Sequence, residues 1–401
     1  MSILFVAANH NPFDSCKSGT IQRTHLLLKA CASCSHVDVA VFREGAESDI
    51  PNCSVVLSQD ISMSYAVSER KQKLKRVLMA RNIEEYYPVV RSAAEKLDEL
   101  IASKHYDYIV IRYLSCAVQA GLLKYADRLI VDVDDSPVDE ERWLSRNATS
   151  IRARWYHRLL AIHLQGMVKR TLSHICFSFF SNPEQVQNKK STYLPNIPYS
   201  INKETDSIIN RSHQLLFVGD FRYEPNSQGA EHFVHAIFPI VKRHYSDVKF
   251  LLVGKPKNEA WKKEMEAVDG VIVKGFVKDL NEEYHNTEVC VAPIYLGAGT
   301  NIKVLEALGM QRTCVASVFA MRGFTDTLKA GEDILVANTD DEFAQHVVSV
   351  LSDSVYNQRI ALQGYKKILK FYSWPAFRDV VVDVLNQLNR RKHDYRSYSF
   401  V

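Results

Sequence analysis

The stretch from Glu288 to Met310, EVCVAPIYLGAGTNIKVLEALGM, constrains the fold of this 401-residue chain more than any other. Val289 to Ile294 is an apolar run of strand length, too short for a helix. Gly297-Ala298-Gly299-Thr300 follows, and two glycines let the backbone turn tightly and approach a ligand with no Cβ in the way. From Asn301 the pattern turns helical, with Ile302, Val304, Leu305 and Leu308 on the buried side. This order of strand, glycine loop and helix puts unpaired backbone N–H groups and the positive end of a helix dipole at the loop, where a diphosphate would sit. Lys303 and Glu306 share one helix face, roughly 4.5 Å apart along its axis, and that face is expected to be mostly exposed. A lysine beside the phosphates and an acid one turn deeper would grip a nucleotide in pieces, as diphosphate and ribose. A surface ion pair on an ordinary βα unit gives the same spacing. The dinucleotide fingerprint fails, because Ile302 stands where its third glycine belongs.

The same residues resemble the nucleotide-sugar motif of GT-B glycosyltransferases of family 4, a retaining family. The likeness is to the branch in which a glycine-rich loop runs into T-R-x-K-[IV]-L-E-A. Here those places hold Thr300, Asn301, Ile302, Lys303, Val304, Leu305, Glu306 and Ala307. Ala298 stands where the wider family has the first of two glutamates, and Asn301 replaces the branch's arginine, which removes one phosphate partner. The resemblance implies an α/β chain of two Rossmann-like doubly wound domains facing across a cleft. The C-terminal domain would bind the nucleotide sugar through Gly297, Ala298, Gly299, Thr300, Asn301 and Glu306, with Lys303 catalytic. The N-terminal domain would present a glycan or lipid-linked acceptor. It implies no cofactor beyond the nucleotide-sugar substrate, and no metal.

Length and composition agree with two soluble domains. A chain of 401 residues exceeds the usual single core, and 46% hydrophobic with 24% charged residues is ordinary for a globular protein. A net charge of +4 is too mild for a dedicated nucleic-acid binder. No apolar run approaches a membrane span, and Ile3 to Ala8 is too short for a signal-peptide core, so a cytoplasmic chain is expected. Eight cysteines are scattered. The Cys31-Ala-Ser-Cys34 pair has no second pair to complete a zinc site, so idle thiols are expected.

In the first half, strand-like runs at Ile3–Ala8, Val37–Phe42, Val55–Leu57, Tyr108–Arg112, Leu129–Val133 and Ile175–Phe179 alternate with helical stretches, notably Ile83–Ala102 and Glu140–Arg170. Alternation of this kind indicates a parallel doubly wound sheet, whose ligands bind beyond the carboxyl ends of its strands. Ser18-Gly19-Thr20 with Arg23 resembles the family's first glycine loop, although a plain helix start reads the same. Arg112, Asp134 and Asp135 lie at strand ends, where loop solvation alone would also place them. In many family members a histidine occupies the place of Arg112, and an arginine there would contact phosphate or acceptor. Glu69–Arg81 and Arg142–Arg158 are basic and amphipathic, the second with Trp143, Trp155 and Tyr156 interleaved. An anionic membrane surface suits such stretches, and so does a solvated helix face with its apolar side in the core.

Pro195-Asn196-Ile197-Pro198 marks the boundary, giving domains at 1–198 and 214–374, a linker at 199–213, and a C-terminal helix and tail at 375–401 that would cross back. The second half restarts at Leu215–Val218, ending in Gly219-Asp220-Phe221-Arg222. Pro225-Asn226-Ser227 then opens a helix with Ala230, Phe233, Val234, Ile237, Phe238 and Val241 at helical spacing. The family resemblance assigns Gly219 and Asp220 to the donor and makes Arg222 the nearest replacement for a missing phosphate arginine, so that Arg222 and Arg112 join Lys303 as the catalytic candidates. It also assigns Phe276 and Val277 to the loop that reads the nucleotide base. The expected reaction is glycosyl transfer with retention, in cell-surface polysaccharide or glycolipid synthesis. A nucleotide-sugar epimerase and a catalytically silent nucleotide-sugar-binding subunit fit the same pattern.

Overall fold

The computed structural model describes residues 1–14, 19–63, 80–134, 136–148, 150–186, 188–202, 209, 211–297 and 299–398. It divides into two compact units, one of residues 1–195 with 374–401 and one of residues 196–373.

The first unit is a seven-stranded sheet of β1 (Ser2–Ala7), β2 (His36–Val41), β3 (Cys53–Ser58), β4 (Tyr108–Arg112), β5 (Leu129–Asp134), β6 (Phe177–Phe180) and β7 (Ser191–Tyr193). The strands run parallel in the order β3-β2-β1-β4-β5-β6-β7. Helices cover both faces, so β1, β4 and β5 are buried on both sides and read as unbroken apolar runs. Two stretches expected as single helices are broken. Ile83–Tyr86 and Arg91–Ser103 are separate, because Pro88 lacks an N–H and forces Tyr87 out of helical geometry, to φ −115° and ψ 87°. Pro137–Asn147 and Ile151–His174 are also separate, the second restarted by Ser150, whose side chain accepts from the Ala153 N–H. The last helix, Trp374–Tyr398, belongs to this unit. Lys29 sits over the Trp374 ring at 4.8 Å, and Lys392 pairs with Asp107 at 2.6 Å.

The second unit is a six-stranded sheet of β8 (Gln214–Val218), β9 (Lys249–Val253), β10 (Val271–Gly275), β11 (Val289–Ala292), β12 (Thr313–Ser317) and β13 (Leu335–Ala337). It is again parallel, in the order β10-β9-β8-β11-β12-β13. The helix after β8 is not one smooth α-helix. Glu224–His232 passes through a widened π turn at Phe233–Ile237 before Phe238–His244. Pro239 accounts for this: it donates no backbone hydrogen bond and its ring crowds the preceding turn. The helix lies close on the end of β11, where a Cβ on Gly229 would stand 2.2 Å from the Pro293 carbonyl oxygen.

In each sheet the chain builds outward from two central neighbours, β1 and β4 in the first and β8 and β11 in the second. The loops leaving those strands turn to opposite sides, which opens a crevice at their carboxyl ends.

Candidate functional site

The glycine loop lies at the switch point of the second sheet, between β11 and the Ile302–Gly309 helix. Gly297 has φ +126° and Gly299 φ +78°, both left-handed conformations that favour glycine. A Cβ on Gly297 would stand 3.2 Å from the Tyr223 hydroxyl and 3.3 Å from the Pro225 ring, so the loops after β11 and β8 touch there. Ala298 lies outside the described residues. Thr300 Oγ1 accepts from Asn196 Nδ2 at 3.0 Å, and Asn301 Nδ2 donates to the Ala320 carbonyl at 3.4 Å. Asn301 also stands at the N-cap of the helix, so its side chain is turned to the loop after β12 and does not cap its own helix.

The expected exposed face for Lys303 and Glu306 is not what forms. Glu306 is only 6% exposed and Lys303 is half-buried. Nor do they make a surface ion pair. Lys303 Nζ donates to Asn226 Oδ1 at 3.1 Å, and Asn226 Nδ2 donates to the Asp220 carbonyl at 2.9 Å. The ammonium also sits 5.7 Å above the Phe217 ring. Glu306 accepts from the Tyr284 hydroxyl at 3.4 Å and from the Tyr199 backbone N–H. Burial pushes Glu306 up to about 7, with Lys303, Tyr284 and Tyr199 opposing it. Burial likewise pushes Lys303 down to about 8 against the pull of Glu306. The pair's side of the helix is enclosed by Asn226 and Phe217 around Lys303 and by Tyr284 and Tyr199 around Glu306, a tertiary fact that spacing does not carry.

Gly219 ends β8 against Asn226, whose Nδ2 a Cβ there would approach to 2.9 Å. Asp220 and Arg222 lie together on the surface, the guanidinium chelating the carboxylate at 2.9 and 2.5 Å. That bond from Arg222 is the main reason the Asp220 carboxyl is held below its ordinary range. Arg222 therefore carries its own counter-charge. Phe276 is 79% exposed beyond β10, where Gly275 turns the chain at φ +71°, and Val277 beside it is half-buried.

Sequence reasoning missed Arg322. It follows the short helical turn after β12, and its Nη2 donates to the Gly297 carbonyl at 3.0 Å while the guanidinium lies 3.9 Å from the Phe319 ring centre. Arg322 is thus a further cation beside the glycine loop. The signal lay in the sequence only as an arginine soon after a strand. The cross-loop contact is what identifies it.

In the first unit, Arg23, Arg112, Asp132 and Asp134 form one buried cluster at the ends of β4 and β5. Arg23 grips Asp132 through two bonds, at 2.8 and 2.7 Å, and reaches the carbonyls of Leu194 and Pro195 at 3.1 and 3.3 Å. Arg112 pairs with Asp134 and Asp132 and donates to Thr24 Oγ1 at 3.1 Å. Burial alone would raise the Asp134 carboxyl, but Arg23, Arg112 and the hydrogen bonds together hold it below its ordinary value. Both arginines expected to face a ligand are thus committed to carboxylates in this structure. Tyr113 (φ +67°) and Asp134 (φ +57°) are strained non-glycine residues at neighbouring strand ends. His10, just past β1, is held below its ordinary value by burial and then by Arg112 and Arg43. Gly19 begins the Gly19–Ala32 helix. Asp135 and residues 69–79 of the first basic stretch lie outside the described residues. Cys31 is buried and its thiol pushed up by burial, as an idle thiol should be.

Residues 212–353 match the family model described as Glycosyl transferases group 1. A Klebsiella pneumoniae protein described as an uncharacterized 44.6 kDa protein in the cps region is 24% identical over 299 residues, 72% of this chain and 76% of that one. Among solved structures, sucrose-phosphate synthase from Thermosynechococcus elongatus superposes with a TM-score of 0.65 at 17% identity, covering 98% of this chain and 99% of that one. HepE from Anabaena in complex with UDP gives 0.62 at 14% identity, covering 96% and 100%. HepE was also solved with UDP-glucose. At these identities the likeness is one of fold: two parallel-sheet α/β domains of the GT-B kind.

Proposed function

We propose, for a chain whose residues 212–353 match the group 1 glycosyl transferase model, that it moves a sugar from a nucleoside-diphosphate sugar to a glycan or lipid-linked acceptor with retention of configuration. The observation that carries this reading is the convergence of Lys303, Arg322 and the Gly297–Asn301 loop at the switch point of the second sheet. The loop amides and the start of the Ile302–Gly309 helix meet the diphosphate, and Lys303 meets the charge that grows on it as the sugar departs. Glu306 takes the ribose hydroxyls. The departing diphosphate oxygen takes the proton of the attacking acceptor hydroxyl on the same face of the sugar, so no side-chain base is required.

The cps region of the Klebsiella relative supports a place in cell-surface polysaccharide synthesis. The nucleotides bound to HepE support a uridine diphosphate sugar as the first donor to try. The acceptor contacts are assigned to the first unit, near His10, Tyr113 and Asp134, where the strained backbone lies. Incubation with a panel of nucleotide sugars and glycan or lipid-linked acceptors, followed by product analysis, tests the reading. Free nucleoside diphosphate together with an α- or β-glycoside matching the donor's own anomeric configuration is the expected result. A new nucleotide sugar identifies an epimerase, and donor binding with no product identifies a silent binding subunit.

A further inference from the structure

The Ile151–His174 helix carries apolar residues on both of its long faces. Leu160, Leu164, Met167 and Val168 are buried against the first unit. On the opposite side Ile151, Trp155, Leu159 and Ile162 are 73%, 58%, 53% and 62% exposed. Spacings of four, four and three residues put these four in one row, about 16 Å long, turned directly away from the buried side. The 24-residue helix contains no aspartate or glutamate. Its exposed cations are Arg152, Arg154, Arg158, Lys169 and Arg170, and the Arg158 guanidinium lies 5.5 Å from the Trp155 ring centre. In the preceding helix Glu141 pairs with His157 at 2.7 Å and Asp139 with Arg142 at 2.9 Å, while Glu140 is exposed. A solvated helix face would show polar side chains here, and it does not.

We infer that this row is a docking surface for an anionic lipid interface, with the helix lying in the plane of the headgroups. The tryptophan and aliphatic side chains enter the headgroup–acyl boundary while the flanking arginines meet lipid phosphates. Charge decides between lipid and a second copy of this chain: five exposed cations without an acid on the helix would repel their own image across a two-fold axis. Four side chains also expose less than the roughly 800 Å² per partner that a stable protein interface buries. The inference goes beyond the transferase reading and does not depend on it, since lipid binding is read without turnover.

The test is sedimentation of the full chain with vesicles of phosphatidylcholine alone or phosphatidylcholine mixed with phosphatidylglycerol, at low and high salt. The parent should pellet with the anionic vesicles, and salt should weaken this. Replacing Trp155→Ser should lower partitioning on the order of tenfold, with Leu159→Ser a second apolar variant. Arg152→Gln and Arg158→Gln should each lower it about fivefold. All four positions are exposed, so thermal melts should match the parent. Equal pelleting with both vesicle types, or serine variants that bind like the parent, would overturn the inference. So would a concentration-dependent dimer in velocity sedimentation that Trp155→Ser abolishes, since that assigns the row to a second copy.

Discussion

Replacing Glu306 with glutamine keeps the shape of the side chain and removes a charge that the fold holds at a cost. Its carboxyl is moved from an ordinary 4.5 to about 7 by burial, less what Lys303 and the hydrogen bonds return. At about 1.4 kcal/mol per pKa unit, the ionised form in the folded state carries roughly 3 kcal/mol of differential cost. The sign follows from proton binding. Between pH 4.5 and about 7 the unfolded chain has released this proton and the folded protein has kept it, so stability falls as pH rises through that window and stays low above it. Glutamine does not titrate, so Glu306→Gln should show no gain near pH 4.5 and an increasing one up to pH 8. Lys303 loses its counter-charge in the variant and offsets part of this, leaving about 2 kcal/mol, or roughly 4–8 °C in Tm for a unit of this size. The assay is thermal melting of parent and variant from pH 5 to 8 without donor, paired with donor kinetics. The variant should melt higher at pH 8 and yet show a raised donor KM, with kcat near the parent value, because a ribose contact holds ground and transition states alike. A melting difference that does not change with pH would falsify the burial argument. Unaltered donor kinetics would remove Glu306 from the site, and a collapsed kcat at constant KM would put it in the chemical step.

Lys303→Ala should lower kcat by about 10²-fold, as loss of one group stabilising leaving-group charge does. The parent's kcat/KM should also fall as pH rises past about 8, where the free enzyme's Lys303 loses its proton, and this limb should be absent from the variant's profile. Arg322→Ala should raise the donor KM and weaken nucleoside-diphosphate binding by calorimetry, each roughly tenfold, with Arg322→Lys recovering part of the loss. An Arg322→Ala variant with parental affinity would show that the arginine only braces the Gly297 carbonyl. Arg23→Met should lower the stability of the first unit by about 3–5 kcal/mol in urea unfolding, since it leaves Asp132 and Asp134 buried with Arg112. A change under 1 kcal/mol would mean the carboxylates simply take up protons there.

The sequence by itself determined what is local or repeated. The apolar runs of β1, β4, β5 and β11, buried on both faces, announced parallel sheets, and the switch from strand to glycine loop to helical spacing placed the start of the Ile302–Gly309 helix to within a residue. The tertiary structure decided which faces are covered. A spacing of three places Lys303 and Glu306 on one side of a helix but cannot say that neighbouring elements enclose that side, and enclosure is what moves both pKa values toward neutrality. In the same way Arg112 and Asp134 read as loop residues at strand ends. Only the register that sets β4 beside β5, and the Gly19–Ala32 helix over them, closes the four charges into a buried cluster. Arg322 meets the Gly297 carbonyl across 25 residues of chain, and Ile151, Trp155, Leu159 and Ile162 look like core residues until the unit's interior is seen to lie on the helix's other face. Periodicity reports that a residue has a side. Which side faces water is fixed by what the rest of the chain packs against, and that is settled only when the elements come together.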